Sequence, residues 1–361
     1  MPRKKNSENS KRVTLRDIAQ VAGVHVMTVS DALRGNPRVA AATRERVEKI
    51  AQELNYVPNF AARALTTGRT GIIAVLSGPI NEAYHANMVH LLEEHINGDG
   101  YKVLHLRSPR EVKDMLTTAG DSIIDGAIAV DTYHFFDEFC ADRKVPLVSI
   151  GTFSRNATDH VVIDLSEAIE YALGLMVRAG RKRIAYLVPE SSLANRGEAR
   201  TAAYLRAMHN AERAPEIIDV STTDLSVLRE RLGDYIRTKG CPDGLLCQND
   251  DTAMRVFRVL RDLGVKVPDD VLLLGCDGQP GMEYFDPPLS TVVQPMEKVC
   301  AAAWKFLKRR IAKPNVAVQR VTYQGKLAVR VSLVPTKATK RPRKIANLRA
   351  GAKASGASWP H

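Results

Sequence analysis

Residues 14–34 read TLRDIAQVAGVHVMTVSDALR. Thr14 followed three residues later by Asp17 is a helix-start signal, and Ile18, Ala19 and Ala22 then recur at helical spacing. Gly23 breaks that helix. The spacing predicts a second short helix from Val26 to Arg34, ended by Gly35-Asn36-Pro37. Ala19 is small enough for two helices to cross over it, Gly23 with Val24 makes the tight turn, and Val29 clamps the second helix. This is the sequence of a helix–turn–helix. Its second helix presents Met27, Thr28, Ser30, Asp31 and Arg34, and hydroxyls near a helix start suit phosphate oxygens. A third, charged helix is expected over 41–54, and a fourth short helical piece over 59–67.

Charge supports the same reading. The 361 residues carry a net charge of +12, but residues 1–70 alone hold +7 and residues 336–361 another +7, so 71–335 are left at −2. A near-neutral body with basic ends implies that the ends meet a polyanion. For the C-terminal end a simple solubilising role is the competing reading. Residues 1–12 form a polar basic arm without periodicity and 336–361 a basic tail without heptads; both read as disordered. Five scattered cysteines, Cys140, Cys241, Cys247, Cys276 and Cys300, form no metal-ligand or C-x-x-C pattern, so reduced thiols and no bound metal are expected. No export signal or 18-residue apolar run is present, which predicts a cytoplasmic chain without membrane contact.

From residue 72 the pattern changes. Short apolar runs at 72–76, 102–106, 126–130, 146–150, 161–163, 184–188, 217–220, 244–247, 271–274 and 291–293 alternate with helical stretches. Continuous apolar strands separated by helices predict parallel sheets covered on both faces. Their number favours two α/β lobes over one.

The segments T-L-R-D-I-A-Q-V-A-G-V-H-V-M-T-V-S-D-A-L, T-R-E-R-V and L-N-Y-V-P-N resemble the N-terminal domain of the lactose/galactose-repressor family, and the likeness continues to about residue 335. It implies an all-α helix–turn–helix DNA-binding domain (13–58), joined by a hinge helix and linker (59–70) to a two-lobed α/β core resembling periplasmic binding proteins (71–335). Lobe 1 is expected over about 71–163 and 294–324, lobe 2 over about 164–293 and 325–335. On this resemblance the second helix enters the major groove and the hinge helix binds the minor groove. Its leucine, Leu65 by position, wedges between base pairs with Ala62 beside it, a move that trades unstacking for a bend. The expected DNA-contacting residues are Thr14, Val26, Met27, Thr28, Ser30, Asp31, Arg34, Asn59, Ala62 and Leu65.

Departures from the family pattern carry information. His25 and Ala40 stand where serines usually cap the second and third helices, which is expected to cost about 1 kcal/mol each. Asp31 stands where Arg or His often reads a base. A carboxylate only accepts, so it favours a cytosine amino group. The competing reading pairs Asp31 with Arg34, three residues on, and leaves it off the bases.

The resemblance also implies a small ligand between the lobes. Arg200 matches the family's effector-binding arginine at a helix start. Asn249 and Asp277 lie just past the carboxyl ends of parallel strands, where open α/β sheets bind ligands. Together with Gln294 they can bridge vicinal hydroxyls. On the first lobe Asn81-Glu82-Ala83-Tyr84-His85 replaces the usual segment and Gly151 replaces an acid, leaving Ser77 and Tyr84 as candidates; for His85 an ordinary packing role is as good a reading. The expected protein is a dimeric repressor of a pseudopalindromic operator, tuned by a sugar-like effector and needing no cofactor. Two alternatives remain at this level: a constitutive or architectural DNA binder with a vestigial cleft, and a sugar-binding protein or enzyme with a fused helix–turn–helix. For the second, none of the common catalytic loop motifs is present.

Overall fold

The computed structural model describes residues 13–33, 35–56, 68–107, 124–131, 145–152, 158–189 and 198–334. The chain folds as two separate units, 1–70 and 71–361. The terminal arm and tail, Arg34, and the 57–67 segment with Asn59, Ala62 and Leu65 lie outside the described residues.

The first unit is helical. Helices α1 (Leu15–Ala22), α2 (Val26–Leu33) and α3 (Ala41–Glu53) follow in order. Ile18, Ala19, Ala22, Val29, Ala32, Val47, Ile50 and Ala51 form its core. Asp17 accepts from both the Thr14 N–H and the Thr14 hydroxyl, each at 2.7 Å, fixing the first turn. Gly23 ends α1 with φ 63°, and Val24 N–H reaches back to the Ala19 carbonyl at 3.2 Å. That left-handed turn is the reason for glycine at 23. Val26, one of the expected DNA-contacting residues, is half-buried and packs on one side against this core.

The two helix starts behave differently. Ala40 leaves the start of α3 without a side-chain cap, as its methyl dictates. His25, expected to leave α2 uncapped, does cap it: Nδ1 accepts from the Met27 N–H at 3.3 Å. The expectation failed because an imidazole nitrogen with a lone pair substitutes for a hydroxyl oxygen. Ala40→Ser is therefore expected to stabilise the first unit by about 1 kcal/mol, and His25→Ala to destabilise it by up to about 1 kcal/mol. Denaturant titration of both variants checks this; a destabilising Ala40→Ser or a neutral His25→Ala would contradict it.

The second unit contains two six-stranded sheets. The first has the order β11-β5-β4-β3-β1-β2, built from β1 (Ile72–Leu76), β2 (Lys102–Leu106), β3 (Gly126–Val130), β4 (Leu147–Gly151), β5 (Asp159–Asp164) and β11 (Arg320–Gln324). The second has the order β12-β10-β9-β8-β6-β7, built from β6 (Ile184–Val188), β7 (Glu216–Asp219), β8 (Gly244–Cys247), β9 (Leu272–Asp277), β10 (Ser290–Val293) and β12 (Lys326–Ala328). All pairings are parallel except β10 with β12. The interior parallel strands are buried along almost their whole length, for example all five residues of β3 and of β6, whereas the edge strands β2, β7 and β11 are partly exposed. This is the two-sheet α/β architecture expected from the strand–helix alternation.

The apolar runs did not reveal β11 and β12. β11 alternates exposed and half-buried residues at a sheet edge, and β12 is three residues long. Long-range polar contacts hold the edge in place: Asp159 accepts from Arg310 at 2.7 and 2.9 Å and from the Gln319 N–H at 2.7 Å. The chain crosses between sheets three times, after β5, after β10 and between β11 and β12. At the last crossing a Cβ on Gly325 would sit 2.5 Å from Leu165 Cδ2, itself at the first crossing. The crossings are packed side by side, and glycine is what lets them approach.

Candidate DNA-reading surface and ligand cleft

On α2, Met27 is 60% exposed, Thr28, Ser30 and Asp31 are half-buried, and Val29 and Ala32 point into the core. Val26 is half-buried like Thr28, Ser30 and Asp31, and Arg34 lies outside the described residues. Thr14 is exposed, with its hydroxyl proton committed to Asp17. Arg44 on α3 reaches across to the carbonyl of Asn36 at 2.9 Å, pinning the loop that follows α2. The rigid placement of α2 thus comes from glycine turns, a small core and one arginine staple.

The cleft residues gather at the carboxyl ends of the two parallel sheets. Helix α6 (Ala199–Asn210) carries Arg200 in its first turn. This helix is held to the sheet by Tyr204, whose hydroxyl donates to the Ile184 carbonyl at 2.9 Å and accepts from the Glu216 N–H at 2.8 Å. Arg200 is buried; its Nε donates to Glu198 Oε1 at 2.8 Å, its Nη1 donates to the Gln248 carbonyl at 3.0 Å, and Nη1 lies 4.0 Å from Asp277 Oδ1. Glu198 also accepts from the Thr201 N–H at 3.0 Å, capping the helix. Burial alone would raise the Glu198 carboxyl; the Arg200 charge and the Thr201 bond hold it below its ordinary value.

Asp277 ends β9 within the strand, one position inside the placement expected from sequence. It accepts from Gln294 Nε2 at 2.9 Å, so two predicted cleft residues touch directly. Burial, then the nearby charge of Asp250, pushes its carboxyl well above the ordinary range despite Arg200. Asp250 supports the floor, accepting from the Gln279 N–H and the Thr291 hydroxyl, each at 2.7 Å; burial raises it to about 6. Asn249 turns out to be a helix cap: its Oδ1 accepts from the Thr252 N–H at 2.8 Å at the start of α8 (Asp250–Asp262). That leaves its amide group as the part available to a ligand.

On the first lobe, Tyr84 lies in the first turn of α4 (Ala83–Gly98) and is buried. Burial, then the charges of Asp131 and Asp277, pushes its hydroxyl well above the usual range, so the fields of residues from both lobes meet there. Ser77 is also buried, but its hydroxyl is engaged with the Gly78 carbonyl at 3.0 Å and His105 Nε2 at 2.8 Å. It serves the first lobe's own polar packing.

Asp131 and Glu198 were missed in the sequence. Asp131 directly follows β3, and burial raises its carboxyl although Arg200 opposes the shift. The signal was available: V-D after 126–130 obeys the strand-end rule that selected Asp277. Asp131 and Asp277 both hold positive φ, 48° and 131°, a backbone region that non-glycine residues rarely occupy. Among the described residues no His, Cys, Asp and Glu are grouped to hold a metal, and no helix is long and apolar enough to cross a membrane.

Comparison with known proteins agrees with this geometry. Residues 14–59 match the family model of bacterial regulatory proteins, lacI family, and residues 173–333 match that of the periplasmic binding protein-like domain. Catabolite control protein A of Staphylococcus aureus is 27% identical over 326 residues, covering 87% of this chain and 98% of that protein. The HTH-type transcriptional repressor PurR of Haemophilus influenzae is 27% identical over 334 residues, covering 89% and 98%. The lac repressor dimer bound to operator and the anti-inducer ONPF superposes with a TM-score of 0.73 at 21% identity, covering 90% of this chain and all of that one. A CelR–cellobiose complex gives 0.62 at 24% identity, covering 89% of this chain and all of that one. The chain thus joins a helix–turn–helix domain of the lacI family of bacterial regulatory proteins to a two-sheet core that is periplasmic-binding-protein-like.

Proposed function

We propose that this DNA-binding transcription regulator acts as a dimeric, cytoplasmic repressor whose operator affinity is set by a small sugar-like ligand held between the two lobes. The observation that carries the ligand arm is that Tyr84 and Asp131, at the start of α4 and the end of β3, lie within electrostatic reach of Arg200 and Asp277, at the start of α6 and the end of β9, where Gln294 bonds Asp277. Ligand binding there would change lobe closure at the three crossings and so the placement of the DNA-binding units; coupling of this kind is reciprocal. The relatives support the arrangement: one is described as a transcriptional repressor, and a structural neighbour was captured as a dimer on its operator. No step of this account uses chemical turnover, and the relatives are regulators.

In this reading α2 reads the major groove through Met27, Thr28, Ser30, Asp31 and Arg34, with Thr14 and Asn59 toward phosphates and Leu65 beside Ala62 as the minor-groove wedge. Selection from random DNA tests it. The expected product is a pseudopalindrome with a flexible central step; recovery of sequence-independent binding would favour the architectural alternative. The basic tail gives a separate prediction. If its charges touch phosphates, deleting residues 336–361 flattens the plot of log affinity against log salt by about one unit per lost contact. An unchanged slope would assign the tail to solubility.

A further inference from the structure

Asp277 meets Gln294 beside a turn that has to be held. Asp277 carries φ 131° and Gly278 φ 82°, so the chain leaves β9 through two consecutive residues in a backbone region that side chains disfavour. Such a conformation persists where its surroundings over-determine it. The brace here is Asp250. It opens α8 directly after the cap Asn249, and it is fully buried. One carboxylate oxygen accepts from the Gln279 N–H and the other from the Thr291 hydroxyl, each at 2.7 Å. Thr291 in turn accepts from the Gly278 N–H at 3.1 Å. One carboxylate therefore joins the helix behind Asn249, the turn behind Asp277 and the strand that leads to Gln294. β9 makes room for it: a Cβ on Gly275 would stand 2.2 Å from Asp250 Oδ1. Among the described residues no cation pairs with this carboxylate. Arg255, one turn along α8, is committed to the Asp251 and Thr222 carbonyls. The titratable groups whose fields reach Asp250 are Asp251 on α8, Cys276 and Asp277 on β9, and Cys247 on β8. β10 and the 278–282 turn bring only hydroxyl, amide and apolar groups. A buried charge without a cation is costly to the fold. What it gives in return is hydrogen bonds roughly twice as strong as neutral ones.

Resting on the ligand-responsive reading above, we propose that Asp250 is a positioning residue of the cleft: its ionised carboxylate touches no ligand but holds the 277–279 turn, so that Asp277 and Gln294 meet the ligand in one geometry. Protonation weakens that hold, because a carboxyl group has one oxygen turned into a donor where the turn and Thr291 ask for two acceptors. Ligand affinity then falls as pH drops through about 6, the value to which burial raises this carboxyl. Stability moves the other way. The folded-state value is raised, so the contribution of Asp250 to stability is fully present below its unfolded-state value and is lost as pH rises through about 6. Asp250→Asn is therefore expected to be at least as stable as wild type at pH 7.5, with the margin narrowing toward pH 5. A carboxylate kept only for the fold would show the reverse.

The test uses the full chain, wild type and Asp250→Asn, with D-glucose, D-galactose, D-mannose, D-ribose and cellobiose as probes. For the sugar that binds wild type most tightly by calorimetry at pH 7.5, the variant is expected to bind about tenfold more weakly. Wild type is expected to lose about fivefold between pH 7.5 and pH 5, and the variant under about twofold. A titrating group other than Asp250 would move both proteins alike. Hydrogen exchange across 277–282 needs no sugar and is expected to be about threefold faster in the variant, at matched pH, than in wild type. Equal sugar affinity in the two proteins, the same pH dependence in both, unchanged exchange, or a thermal midpoint lowered by Asp250→Asn at pH 7.5 would overturn the proposal. Operator affinity read in the same samples separates it from the broader reading. A sugar that binds wild type without shifting operator affinity overturns ligand control and leaves the positioning role standing. Wild type that binds none of the five overturns the sugar-like reading and the role of Asp250 in it.

Discussion

Arg200→Ala is expected to destabilise the core by about 3–5 kcal/mol at neutral pH, the cost of stripping one partner from a buried ion pair. Glu198 and Arg200 are almost fully buried at 2.8 Å, so solvent screens the pair little. The sign of the pH dependence follows from Glu198. In the wild type its carboxyl is held below its ordinary value, so its contribution is present above the unfolded-state value and is lost as pH falls through the folded-state value. Without Arg200 only burial and the Thr201 bonds act on it. A carboxyl raised by burial costs most at neutral pH and least when both states are protonated. The gap between wild type and Arg200→Ala should therefore be widest near neutrality and shrink toward pH 4, as followed by urea denaturation. Glu198→Gln in the Arg200→Ala background should recover much of the loss. A deficit below about 1 kcal/mol, equal at both pH values, would mean that the pair is solvated and the cleft open.

Asp31→Arg is expected to change which base is preferred at one position of each half-site. An aspartate on α2 accepts from a cytosine amino group, whereas arginine donates to a guanine edge. Such a contact discriminates by about 1–3 kcal/mol, roughly 5- to 150-fold. Total affinity should rise as well, since one negative charge near phosphate becomes positive. Selection from random DNA with both proteins separates the two contributions. A changed half-site supports base reading by Asp31; an unchanged half-site bound more tightly makes Asp31 a helix-surface residue.

Much of this was legible in the sequence because the determinants are local. Gly23, Ala19 and Val29 act within one turn of where they stand, and the apolar runs at 72–76, 126–130 and 184–188 report strands that are buried on both faces. The strand-end rule located Asp277, and the resemblance located Arg200 and Gln294, which meet Asp277 in the fold. What was hidden depends on long-range pairing. β11 has no apolar run because only one side of it is covered, and its place is fixed by Asp159 through residues about 150 positions away. Asn249 sits where expected, yet half of its amide is spent on a helix cap. Nothing in the residues around Glu198 marks it out, and only burial beside Arg200 reveals its role. His25 broke a residue-type rule without breaking the physics, since the missing acceptor was supplied by another atom.

The central claim is that a ligand in the cleft sets operator affinity. Fluorescence anisotropy of the operator recovered by selection, with and without a ligand shown to bind the cleft, tests it most directly. The account predicts a shift of roughly 5- to 150-fold in wild type, the range of ordinary allosteric coupling, and loss of that shift in Arg200→Ala under conditions where the variant is folded. Operator affinity that stays the same while the cleft is saturated would contradict it.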